Sequence, residues 1–69
     1  MNKQDISILQ IFDKITNRKY ITQTDILREL DLTIEQYIDN KVILSINRLI
    51  KSDKINSALM GQTTVYLKS

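Results

Sequence analysis

Asp25 and Glu29 stand four residues apart, a spacing that puts two carboxylates on one helix face, as metal binding and acid–base catalysis use them. Nothing accompanies them. The chain has no His and no Cys, so the commonest general base, the commonest metal ligand and the thiolate are all missing. Ser7, Ser45, Ser52 and Ser57 have no imidazole to activate them. A single Gly, Gly61, and no Pro exclude the phosphate-cradling loops that need several glycines at fixed spacing. Asp25 and Glu29 therefore read as surface charges. No catalysis, metal site or cofactor is expected.

The remaining chemistry is that of cations and amides. Net charge is only +2, but it is unevenly spread. Residues 1–40 carry five bases and seven acids; residues 41–69 carry Lys41, Arg48, Lys51, Lys54 and Lys68 against Asp53 alone. Such an asymmetry predicts a positive end that meets something negative. On a helix spanning 34–51, the arc opposite the apolar stripe holds Gln36, Tyr37, Asn40, Lys41, Leu44, Asn47, Arg48 and Lys51, with no acid. Arg suits guanine edges, Asn and Gln suit adenine, and Lys suits phosphates. Tyr37 and Leu44 are out of place on a solvated arc. Contact with bases, a dimer contact, and cover by the C-terminal hairpin are the three roles open to them.

These residues need elements to position them. Ile8, Leu9, Phe12 and Ile15, with Ile11 beside them, form the stripe of an amphipathic helix over about 4–17. Tyr20-Ile21-Thr22 is a short strand. Thr22 with Asp25 is a near relative of the capping box and Thr33 with Gln36 a proper one, and they start helices over about 23–30 and 34–51. The third helix should bury Ile38, Val42, Ile46 and Leu49, and Asp53 is expected to take the left-handed position after it. Residues 55–60 and 63–67 are strand-like around Gly61-Gln62, which fits a two-residue type II′ turn, and the alternation points Val65 and Leu67 inward. A lone hairpin is unstable, so it must pair with 20–22 or lie on the helices. With 42% hydrophobic residues the chain is too apolar for disorder, and no apolar run approaches a membrane span. A cytosolic, single-domain protein over 1–69 is expected, mainly α with a small β-sheet (α+β).

This order of elements resembles the winged helix-turn-helix family over about residues 5–68. Ile21–Thr33 looks like the family's strand, helix and turn, and Asn47–Ile55 like its passage from recognition helix into wing. There are two departures: Asp53 replaces the usual Gly before the wing, and a helix over 34–51 is longer than most recognition helices. The extra length leaves part of it free to be irregular or to serve something besides groove insertion. The resemblance implies a three-helix core with a C-terminal hairpin wing, a third helix in the DNA major groove, and a wing on the backbone or minor groove. Asn40, Lys41, Leu44, Asn47 and Arg48 would meet the groove; Lys51, Lys54 and Lys68 would meet phosphates, with Gln62, Thr64 and Tyr66 near the backbone. The expected role is a small transcriptional regulator or an accessory factor in replication or mobile-element biology, acting on duplex DNA as a homodimer or with a larger partner. A protein-interaction module is the rival reading. Single-strand binding, with Tyr37 and Tyr66 as stacking platforms, is a third.

Overall fold

Asn2 begins α1 by accepting the Asp5 amide on its side chain at 2.9 Å, and the helix runs Lys3–Lys14. The computed structural model describes residues 2–69, so Met1 of the expected domain lies outside the described residues. α1 stops before the expected residue 17. Ile15 is extended, yet still packs half-buried against the core. β1 follows at Tyr20–Thr22, then α2 at Gln23–Glu29, α3 at Ile34–Asp39, α4 at Val42–Lys51, β2 at Ile55–Met60 and β3 at Thr63–Lys68. Both capping boxes are formed in full, Thr22 with Asp25 and Thr33 with Gln36. The sheet is antiparallel in the order β1-β3-β2, so the hairpin pairs with residues 20–22 as its instability alone requires. The result is an α+β fold with a winged-helix-like layout.

The expected helix over 34–51 is two helices. Asn40 ends α3, and Lys41 adopts the left-handed conformation at φ 54° before α4 starts. Asp39 and Asn40 explain the break: both are weak helix formers, and an acid at a helix C-terminus opposes the dipole. Gln4 donates to the Asn40 carbonyl at 3.0 Å, satisfying an acceptor the helix leaves orphaned. The break rotates α3 relative to α4 and changes which side chains enter the core. Tyr37 is buried, while Ile38 is 67% exposed, so the expected burial of Ile38 is corrected. Val42, Ile46 and Leu49 are buried as the spacing predicts.

α2 and α4 end alike. Asp31 and Asp53 are left-handed, and in each case two amides fold back: Asp31 and Leu32 onto Arg28 and Leu27, Asp53 and Lys54 onto Ile50 and Leu49. These are Schellman caps built without glycine. The one glycine, Gly61, sits at φ 66° in the hairpin turn, as the first position of a type II′ turn requires.

Ile8, Ile11, Ile21, Ile26, Val42, Ile46, Leu49 and Ile55 form the fully buried centre, with Tyr37 and Tyr66 at its margin. Tyr66 rather than its neighbours faces this cluster. Val65 is buried as the alternation predicts but lies outside this cluster, while Leu67 is only half-buried, so Tyr66 rather than Leu67 supplies the central strand's contact with it. Ser57 and Ile21 flank Tyr66, which places it on the central strand where it reaches the helices.

Candidate nucleic-acid interface

α4 is oriented by its apolar spacing. With Val42, Ser45, Ile46 and Leu49 turned inward, the helix presents Ile43, Leu44, Asn47, Arg48 and Lys51 outward. Leu44, Asn47, Arg48, Ile50 and Lys51 line a shallow open depression that carries no acid. Lys41 and Asn40 lie exposed at the N-terminal end of this surface, across the helix break. The face is more apolar than expected: Ile43 and Leu44 are 45% and 47% exposed.

Arg48 is tied down. Its Nε and Nη2 donate to Asp5 at 3.3 and 3.0 Å, and Nη2 also donates to Ser45 Oγ at 2.9 Å. Gln4 adds a bond to the same hydroxyl at 2.7 Å. The Arg48 bonds hold the buried Asp5 carboxyl below its usual value against the opposing effect of burial, and the carboxylate in turn raises the guanidinium. This cluster joins the start of α1 to the middle of α4. Arg48, expected to read bases, is first a structural link, although half of its side chain remains exposed.

The phosphate-contacting candidates continue from α4 into the sheet. Lys51 lies in the last turn of the helix, and Lys54 follows its Schellman cap. The Ser69 amide donates to the Lys54 carbonyl at 3.0 Å, which brings Lys54 beside the end of β3 and Lys68. The register Tyr20↔Leu67 brings Lys19 up on the other side of Lys68. Phe12, Ile15, Thr16, Arg18, Lys19 and Lys68 line a second depression there. Three cations thus stand at neighbouring strand ends, where like charges repel. Asp13, 3.6 Å from Lys68, sits among them in an exposed pair that contributes little, and exposed Asp53 directly precedes Lys54. Nothing local in the sequence marks Lys19 for this site. Its adjacency to Lys68 depends on strand order, which composition does not carry. Arg18 lines the same depression, though its charge is paired with Asp25.

The segment from α2 through α3 is acidic. α2, α3 and their connection carry Glu29, Asp31, Glu35 and Asp39. Asp25, expected as a surface charge, is instead buried. It accepts from Arg18 Nη1 and Nη2 at 2.6 and 2.7 Å, from Arg28 at 2.7 Å, and from the Thr22 amide at 2.8 Å. Arg18, together with Thr22, holds its carboxyl far below the usual range despite burial. Arg18 also stacks over the Tyr20 ring at 5.0 Å.

Tyr37 and Tyr66 leave the candidate surface. At 7% and 8% exposed they are core residues, and burial raises both phenols above their usual value, Tyr66 adding to the rise at Tyr37. Neither offers a face for a base to stack on. In the wing, Gln62 and Thr64 are exposed, but no residue from Ile55 to Leu67 is charged. Phosphate contact by the wing falls to its base, where Lys54 and Lys68 sit. Among the described residues no group of three or more Asp or Glu could hold a metal ion, and no helix is long and apolar enough to cross a membrane. Comparison with known proteins finds no matching family model, no similar curated protein and no similar solved structure.

Proposed function

We propose that this chain is a cytosolic, non-enzymatic DNA-binding protein of the winged-helix kind, a regulator or accessory factor that docks α4 and the base of its wing on duplex DNA. The observation that carries the reading is the polarity of the molecule. The acid-free face of α4 runs through Lys51 into Lys54, Lys68 and Lys19, cations that outnumber the exposed acids beside them, Asp13 and Asp53, while Glu29, Asp31, Glu35 and Asp39 lie on α2, α3 and their connection. A field of that shape orients the positive end towards a polyanion before contact. Asn47 and Asn40 carry amides suited to adenine edges, Leu44 is suited to a thymine methyl, and the lysines to phosphates.

Fluorescence anisotropy with random duplex at two salt concentrations tests this. Duplex binding should fall steeply with salt, and Lys51→Ala/Lys54→Ala should lower the slope by about two, close to one per lost phosphate contact. Arg48 is a poor choice for this test, because its removal also orphans Asp5. Absence of binding at low salt, or binding indifferent to the two lysines, overturns the proposal. One observation favours a second reading: Ile43 and Leu44, both nearly half exposed on α4, suit a protein partner. Docking through them would be nearly insensitive to salt. Single-strand binding loses its support with the burial of Tyr37 and Tyr66.

A further inference from the structure

The sheet has two edges, and they are finished differently. In antiparallel pairing, successive residues turn their N–H and C=O to alternate sides. The two-residue turn at Gly61-Gln62 makes Met60 and Thr63 a hydrogen-bonded pair. Asn56, Ala58 and Met60 therefore turn their backbone groups to β3, and Ile55, Ser57 and Leu59 turn theirs outward. By the same alternation Ile21 bonds to Tyr66, and Tyr20 and Thr22 turn outward from the other edge. Those two are already occupied. Arg18 Nη1 donates to the Tyr20 carbonyl at 3.2 Å, and the Thr22 amide donates to Asp25 at 2.8 Å. The chain's own side chains thus take up the Tyr20 carbonyl and the Thr22 amide on the β1 edge.

The β2 edge is open. Among the described residues, no side chain bonds to the outward backbone groups of Ser57 or Leu59. Proteins guard such edges with charge, proline, a bulge or short length. β2 has six residues in unbroken register, with no charge and no proline, and Asn56 to Met60 are all exposed. Leu59 is 75% and Met60 52% exposed at its end.

We propose that β2 pairs antiparallel with β2 of a second copy of this chain, about a two-fold axis at Ser57 or Ala58. A two-fold normal to the sheet keeps every side chain on its own face only when it passes through a residue, and these two small residues let the strands approach. The neutral strand meets its copy without repulsion. It offers no charge to select a foreign peptide, and its exposed Leu59 and Met60 gain cover from a strand as apolar as itself. The two three-stranded sheets then form one continuous six-stranded sheet, and the two-fold keeps the corresponding faces of both copies on the same side. The pairing does not depend on the DNA-binding reading.

Sedimentation equilibrium without nucleic acid, from micromolar to millimolar protein, tests it. The interface is small, so the mass should rise with concentration from 8.1 kDa towards twice that value. Ser57→Pro removes only an outward N–H, and Leu59→Lys adds a charge where the monomer exposes a side chain. Both should stay monomeric with an unchanged circular dichroism spectrum, and the Ser57 and Leu59 amides of the wild type should gain exchange protection at high concentration. If Ser57→Pro fails to fold, Leu59→Lys alone carries the comparison. A wild type that is monomeric throughout overturns the proposal. So does a dimer that survives Leu59→Lys, or one that Leu44→Lys dissolves instead.

Discussion

Replacing Lys41 with glycine separates two descriptions of residues 34–51 by the sign of a stability change. In a continuous helix the residue would be internal, and glycine would cost about 1 kcal/mol relative to a good helix former. In the structure Lys41 is left-handed at φ 54°, its side chain is exposed, and it makes no capping hydrogen bond, so no contact is lost on truncation. An L-residue in that conformation carries a cost of about 1–2 kcal/mol, which glycine escapes. Glycine gives back about 0.5–1 kcal/mol through the greater freedom of its unfolded chain. The net expectation is a gain of about 0.5–1 kcal/mol, a rise of roughly 2–8 °C in Tm for a domain of this size. Urea unfolding followed by circular dichroism at neutral pH measures it. A loss of about 1 kcal/mol would show that α3 and α4 are one helix and that the burial of Tyr37 in place of Ile38 is mistaken. Asp31→Gly and Asp53→Gly should gain less, because Asp tolerates the left-handed region better than Lys.

Three further outcomes follow from the same contacts. Asp25→Ala should cost about 3 kcal/mol in urea unfolding, since it strands two guanidinium groups and the Thr22 amide together; a cost below about 1 kcal/mol would mean the network is solvated. Asp5 and Asp25 are both held below their ordinary value, so each contributes stability that is complete above about pH 4 and lost as pH falls through its folded-state pKa. Unfolding midpoints should therefore fall steeply below about pH 4, and Asp25→Asn should flatten that fall. Tyr37→Ala should cost about 3 kcal/mol by opening a cavity, whereas Ile38→Gln should stay within about 0.5 kcal/mol; equal effects would contradict the break at Lys41.

Legibility followed the range of the interaction. Thr22 with Asp25, Thr33 with Gln36, and left-handed Asp53 are local devices, and each is formed where the spacing places it. The break at Lys41 also had a local signal, Asp39-Asn40, but a sustained apolar period through Ile38 and Val42 outweighed it. One reset of helical phase then exchanged Tyr37 for Ile38. In β3 the alternation was visible but its phase was not, because Val65, Tyr66 and Leu67 are all apolar enough for either face. Among the surface candidates, Asn47, Lys51, Lys54 and Lys68 lie exposed as expected. The engagement of Arg48 was not legible: Asp5 lies forty-three positions away in the chain. Asp25 reads as a surface charge in the sequence because its partner Arg18 reaches it from outside its helix. Lys19 and Lys68 become neighbours only once strand order is known.

The closure of β1 by Arg18 and Asp25 sets the valence of the sheet. A sheet with one free edge can accept one strand, so any association through it terminates at a closed pair. A sheet with two free edges accepts a strand at each, and head-to-tail addition then has no natural end. Protonating Asp25 weakens its hold on Arg18 and on the Thr22 amide, the two contacts that occupy the second edge. If β2 pairs as proposed, the carboxylate that anchors the start of α2 also helps to limit that association to a closed pair.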